Sequence, residues 1–283
     1  MSPIKILLVA LFCPPQPELP HIMQQPSITT VRCDGHRGCV ADIAMLAKNI
    51  PLFPVDRWCN LTELTQARTA SHHRIGWAAI FLKAYGKVVE QTPELRSWFL
   101  PGLWPRIATT NQIVATLAIN RIENDTEQLC WARLHQPEIL PLVDIQRFID
   151  ECCSAPSNEL FKRQRELEML PGFLRRAVLR WNLRSASRKR STRIGTFSLS
   201  TLAGYGASNH FHPTLCTTSI SYRPVEADGR CLVTMIADHR VIDGAVVARS
   251  LATLEKFLQQ DLVHELRSQT EPQATDATPS NAA

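Results

Sequence analysis

The stretch Asp238-His239-Arg240-Val241-Ile242-Asp243-Gly244 decides how the chain is read. It follows Arg230 to Ala237, a run that reads as a strand, and it precedes Ala245 to Leu262, where Ala248, Leu251, Leu254 and Leu258 recur at helical spacing. The heptapeptide therefore sits at a strand-to-helix junction, where rigid scaffolds often present reacting side chains. An imidazole suits proton abstraction from a thiol or hydroxyl because its unperturbed pKa lies near neutrality, which makes His239 the candidate general base. Asp243, four positions later, is expected to brace the loop by pairing with an arginine, and Gly244 permits a tight turn into the helix.

Working outward, Val40 to Asn49 has a helical pattern that Pro51 stops, and Leu52-Phe53-Pro54-Val55 reads as a strand passing into a loop around Trp58 and Leu61. Thr62-Glu63-Leu64-Thr65 looks like a helix start. His73 to Gln91 carries a broad apolar face and predicts a long buried helix. Gln112 to Ile119 and Gln128 to Ala132 read as neighbouring strands around a turn at Glu123-Asn124-Asp125, and Ile145 to Cys153 returns to helix. Gly195 to Ser200 and Thr217 to Tyr222 complete the strands. Alternation of the two element types without repeats predicts an α/β domain, a two-layer sandwich of a mixed sheet with flanking helices. The expected organisation is a Pro-rich extension over 1–29, a folded domain over 30–267 and a disordered tail over 268–283, rich in Thr, Pro, Gln and Ala.

The chain has 283 residues, 45% of them hydrophobic, enough for a sizeable core. A net charge of +5 does not by itself argue for a nucleic-acid partner, and none is expected. The densest positive charge sits between Phe161 and Arg193, where eleven Lys and Arg face only Glu166 and Glu168. The nine cysteines show no framework spacing and are read as reduced thiols of a cytoplasmic protein. Lys5 followed by Ile6 to Phe12 imitates a signal peptide, but the apolar run is short and Phe12 before Cys13 is not a small-residue cleavage site, so it is read as an apolar arm.

The heptapeptide, followed by Ala245, Ala248 and Arg249, resembles the catalytic motif of 2-oxo acid dehydrogenase acyltransferases. Gly195-Thr196-Phe197-Ser198-Leu199-Ser200-Thr201-Leu202 resembles that family's Gly-x-Phe-Thr-Ile-Ser-x-Leu strand, Ile50-Pro51-Leu52-Phe53 its Ile-Pro-His-Phe strand, and Ala78 to Leu95 its helix ending in Phe-Pro-Glu-Leu. The resemblance implies the wider chloramphenicol acetyltransferase-like fold and a lipoamide acyltransferase-like enzyme. It also implies acyl transfer with coenzyme A as the acyl-carrying substrate and a homotrimer with its site between subunits. There His239 of one subunit would act as base, and Ser200 of a neighbour would donate to the oxyanion that forms on the thioester carbonyl; Thr201 is the other hydroxyl candidate. Asp243 would pair with an arginine, for which Arg37 is the candidate. No lipoyl-carrying or subunit-binding domain precedes the matched region, so a lipoylated protein would have to act in trans, on a thiol or hydroxyl acceptor. Leu52 departs from the family's histidine, and the segment from Leu170 to Arg193 is unlike the family's.

That segment interleaves Leu170, Phe173, Leu174, Val178, Leu179, Trp181 and Leu183 with arginines. It is read as a solvated helix face covering the sheet. The competing reading is a non-catalytic trimeric scaffold or a membrane-associated assembly protein that uses residues 161–193 to touch a membrane surface or an acidic partner. The same charges would also attract the phosphates of coenzyme A. Cys33, His36 and Cys39 lie close together but lack a fourth ligand, so no metal is expected. His210 and His212, one residue apart and so able to face one side of a strand, fall in a loop region that could line an acyl channel, and they are read as loop filler.

Overall fold

The computed structural model describes residues 28–123, 125–154, 156 and 160–268. Most of the expected extension over 1–29, including the apolar arm, and the tail after Ser268 lie outside the described residues. The chain divides into two units, residues 1–32 and 33–283, and within the first the described residues form neither helix nor strand.

In the second unit the order is α1 (Gly35–Ala47), β1 (Leu52–Asn60), α2 (Thr62–Ala70), α3 (Trp77–Gln91), a 3-10 turn (Pro93–Arg96), β2 (Ser97–Leu100), β3 (Arg106–Thr109), β4 (Val114–Glu123) and β5 (Thr126–His135). It continues with α4 (Leu142–Ser154), α5 (Lys162–Met169), α6 (Gly172–Arg184), α7 (Lys189–Ile194), β6 (Phe197–Leu199), β7 (Thr218–Tyr222), β8 (Arg230–Asp238), α8 (Gly244–Gln259) and α9 (Asp261–Ser268). The six-stranded sheet has the order β1-β8-β7-β6-β4-β5 and is mixed: β6 runs parallel to both β4 and β7, and the other pairs are antiparallel. This is the expected α/β architecture.

One sheet face is apolar and packs under α3 and α8, as period-2 alternation requires. Phe81 of α3 stacks on Tyr222 at 4.2 Å between ring centres, and Tyr85 meets the edge of Phe197 at 4.8 Å. The Tyr85 hydroxyl is buried and donates to Thr218 Oγ1 at 2.7 Å, so the phenol costs no unsatisfied group. The opposite face carries Thr116, Ser198, Ser219, Ser221 and Thr234. The loop between β6 and β7 crosses part of it, with the Ser221 hydroxyl donating to Asn209 O at 3.0 Å. Helices α1, α5, α6 and α7 cover the β4 and β5 side.

Several boundaries differ from the sequence reading. Helix α1 starts five residues earlier than the apolar pattern, because Asp34 accepts the N–H of Arg37 at 2.6 Å as an N-cap. Strand β1 runs through Trp58 to Asn60 rather than breaking there, and Pro54 is tolerated because β1 is an edge. The β2–β3 hairpin has no counterpart in the sequence reading: four-residue strands around Pro101 and Pro105 are too short to show alternation. His210 and His212 lie in the β6–β7 loop, the placement expected of them.

The basic segment does cover the sheet, but its charges are not simply solvated. Arg175 is buried against Asp42 at 2.6 Å, Arg165 pairs with Glu168 at 3.1 Å, and Arg190 lies 4.5 Å over the Trp98 ring. The β5 edge is closed by side chains. Gln164 of α5 accepts from Trp131 N and donates to Leu129 O, both at 3.0 Å, while His36 Nε2 accepts from Leu129 N at 3.1 Å.

Candidate functional site

His239 is held by β8 and β1 together. Its N–H donates to Pro51 O at 3.0 Å, continuing the β1–β8 ladder, and its ring lies 4.6 Å from that of Phe53. The side chain is exposed. Its Nδ1 faces Asp243 Oδ1 at 3.6 Å, too long for a hydrogen bond. Nε2 has no hydrogen-bond partner among the described residues. Asp243 is the N-cap of α8 by backbone geometry, its carbonyl accepting from Val246 N and Val247 N.

The expected arginine partner of Asp243 is not found. Arg37 is an exposed residue of α1, and among the described residues no arginine lies within ion-pair distance of Asp243. Asp238 instead holds an arginine. It is buried at the end of β8, and Arg240 donates to its two oxygens from Nε at 2.9 Å and Nη2 at 2.8 Å, while the Arg240 N–H adds a third bond at 3.0 Å. Arg240 also lies 4.9 Å over the Phe99 ring of the hairpin. A bidentate pair two residues apart fixes the turn that aims His239. Both residues stood in the quoted heptapeptide, but spacing alone did not say which carboxylate would take the arginine.

Ser200 follows β6, with its N–H donating to Ile220 O at 3.1 Å. Asn209 Nδ2 donates to Ser200 O at 3.2 Å and lies 3.4 Å from its hydroxyl oxygen. The Thr201 hydroxyl is committed elsewhere, donating to Tyr222 O at 2.8 Å and accepting from Ala203 N at 3.1 Å, which leaves Ser200 as the freer of the two candidates.

Asn209 also joins His212 to this region. His212 Nδ1 lies 3.3 Å from Asn209 Nδ2 and its Nε2 lies 2.7 Å from Ser219 Oγ. Since the amide nitrogen can only donate, Nδ1 accepts and Nε2–H donates to the serine. Burial pushes the His212 imidazole down to about 4, so it is neutral near pH 7. Asn209 went unremarked in the sequence, having no motif around it.

Ser200 and His239 of one chain are not neighbours. The register sets Ser200 level with Ser221 and Thr234, while His239 lies beyond the opposite end of β8. The offset is about 16 Å along the strands and about 10 Å across them, so about 19 Å in all, beyond the reach of two side chains toward one atom.

A cavity of about 1140 Å³ lies between the polar sheet face and α1, α5, α6 and α7, with Ser200 and His212 in its wall. Elsewhere, both ring nitrogens of His36 are engaged. Nε2 accepts from Leu129, so Nδ1–H donates to Glu168 Oε1 at 2.9 Å. Burial pushes the Cys39 thiol up to about 11, and Cys33 is exposed. Among the described residues no cluster of metal-ligating side chains forms, and no helix is long and apolar enough to cross a membrane.

No protein-family model and no curated protein matches the sequence. Solved structures do. A truncated catalytic core of the 2-oxoacid dehydrogenase multienzyme complex from Thermoplasma acidophilum is 17% identical, over 82% of this chain and 99% of that one, with a TM-score of 0.61. A dihydrolipoamide acetyltransferase of Azotobacter vinelandii, investigated for the role of a serine, a histidine and an asparagine in its catalytic mechanism, is 16% identical over 88% and 98%, with a TM-score of 0.59. The cubic core of the pyruvate dehydrogenase multienzyme complex is 17% identical over the same shares, with a TM-score of 0.59. The chain therefore has the fold of the acyltransferase catalytic cores that its motifs resemble.

Proposed function

We propose that the protein is an acyltransferase that moves an acyl group between coenzyme A and a thiol or hydroxyl acceptor, with His239 as general base. The observation that carries this reading is the exposed imidazole at the end of β8, with Asp243 beside Nδ1 and Nε2 free, on a fold shared with acetyltransferase cores. Nε2 takes the acceptor proton as its sulfur or oxygen attacks the thioester carbonyl carbon. The carbonyl π pair moves onto oxygen, where the Ser200 hydroxyl donates to it. Collapse breaks the C–S bond, and the departing thiolate takes the proton back from the imidazolium.

The offset of about 19 Å between Ser200 and His239 calls for two copies, His239 from one and Ser200 from its neighbour, as in a closed homotrimer. A lipoylated protein acting in trans is a fitting acceptor. Purified protein given acetyl-CoA and dihydrolipoamide should release free coenzyme A, followed chromatographically because the thiol count does not change. His239→Ala should abolish the release; unchanged turnover in that variant would sink the base assignment.

A second reading rests on α6. Its Phe173 and Trp181 are exposed beside Arg176, Arg180 and Arg184, the composition of a helix lying on an anionic membrane surface. Tight, salt-sensitive co-sedimentation with phosphatidylserine vesicles, together with absent thioester activity, would favour this membrane-associated scaffold over the enzyme.

A further inference from the structure

The cavity over β4, β5 and β6 is too large and too apolar for a short acyl group. Its volume of about 1140 Å³ stands at or above the upper end of the range of about 300–1,000 Å³ seen for small-molecule sites. Ile43, Trp131, Leu167 and Leu215 contribute apolar walls, and an acetyl group would fill only a corner.

The same walls carry four cations, Arg133, Arg163, Lys189 and Arg193, against one acid, Glu166. Arg133 projects from β5. Its Nη1 donates to Trp131 O at 3.0 Å, but its Nε is buried without an acceptor, and no carboxylate pairs with it among the described residues. An uncompensated guanidinium beside apolar walls is costly unless a ligand supplies the missing acceptor.

We propose that this cavity binds an amphiphile made of a long aliphatic chain and an anionic group, the chain lying against the apolar walls and the anion drawn to Arg133. Ser200 and His212 share the wall, so in the reaction proposed above the chain is that of the acyl substrate, and the transferase would accept long acyl groups as well as acetyl. That place in the reaction rests on the acyl-transfer reading; binding itself does not. The anion has two sources, the carboxylate of a free fatty acid or the phosphates of a long-chain acyl-CoA.

Calorimetric titration of the intact protein with laurate, lauroyl-CoA, coenzyme A and dodecanol tests this without turnover. Laurate or lauroyl-CoA should bind, and the tighter of the two identifies the source. Arg133→Met should weaken that ligand about tenfold or more while leaving dodecanol unchanged, and should not lower the melting temperature, since the lost cation had no carboxylate partner. Ala118→Trp, which pushes an indole up from the cavity floor, should weaken the anionic ligand and dodecanol together. Failure of both laurate and lauroyl-CoA to bind, or equal affinity in wild type and Arg133→Met, would overturn the proposal. A protein that binds laurate or lauroyl-CoA but transfers no acyl group refutes the transferase reading alone, and one that transfers acetyl but binds neither refutes the cavity assignment alone.

Discussion

If each site draws His239 from one subunit and Ser200 from the next, two inactive variants should rescue each other. The premise is geometric: Ser200 lies level with Thr234, five strand positions and two strand spacings from His239, about 19 Å away. His239→Ala removes the base. Ser200→Ala removes an oxyanion donor and should leave about 1% of the wild-type rate. In a cyclic trimer assembled at random from equal amounts of both, a site is intact when an S200A subunit supplies histidine and an H239A subunit supplies serine. That combination has a probability of about one quarter over all random trimers and occurs once per three sites in every mixed trimer. The doubly purified protein should therefore recover about one third of wild-type activity per site, roughly 30-fold above the S200A parent. The two variants would be co-expressed with different affinity tags, purified sequentially through both, and assayed for coenzyme A release. Mixed assemblies that show only the average of the parental rates would refute the shared site, and with it the roles given to the two residues.

Other outcomes follow from single contacts. Arg240→Met leaves the buried Asp238 carboxylate without its bidentate partner and should cost about 3 kcal/mol in urea unfolding, most of it recovered by pairing the change with Asp238→Asn. Gly195 enters β6 at φ 97°, and a Cβ there would fall 2.3 Å from Thr116 Oγ1, so Gly195→Ala should lower stability by about 2 kcal/mol or more, read as a shift of the urea midpoint. Burial depresses His212 in the folded state to about 4, below its unfolded value, so its contribution is full above about pH 6.5 and is lost as pH falls toward 4. Over that window stability should drop by up to about 3 kcal/mol, and His212→Gln should flatten the curve measured by thermal melts at stepped pH.

The apolar half of this fold was legible because its elements are long and regular. Trp77 to Gln91 keeps a helical period, and Val114 to Glu123 and Arg230 to Asp238 contain apolar runs long enough to be read as buried strands. The junction around His239 was legible for the same reason, since strand and helix patterns meet there. What the sequence hid was either too short or set by distant partners. The hairpin of Ser97–Leu100 and Arg106–Thr109 has too few residues for a pattern. The arginine of the His239 loop was sought at Arg37, far along the chain, when Arg240 reaches Asp238 across a turn. Asn209 acquires its place beside Ser200 and His212 only when the β6–β7 loop folds over the sheet. The basic stretch read as solvated because charge runs usually are, yet Arg175 finds Asp42 on α1, a pairing no local window contains.

The closed rim of β5 constrains how copies of this chain can meet. An open strand edge is a template for another strand, and sheets that keep one risk growing into fibres. Here the outward backbone groups of Leu129 and Trp131 are already spent on His36, Gln164 and Arg133, so a neighbour has no ladder to extend across the middle of that strand. Gln164 arrives only after α4, well behind the strand it seals. At a synthesis rate of about 5–20 residues per second, the nascent rim waits on the order of seconds for its guard. That interval is when the chain is most exposed to wrong strand pairing, and slowing translation between His135 and Gln164 would lengthen it.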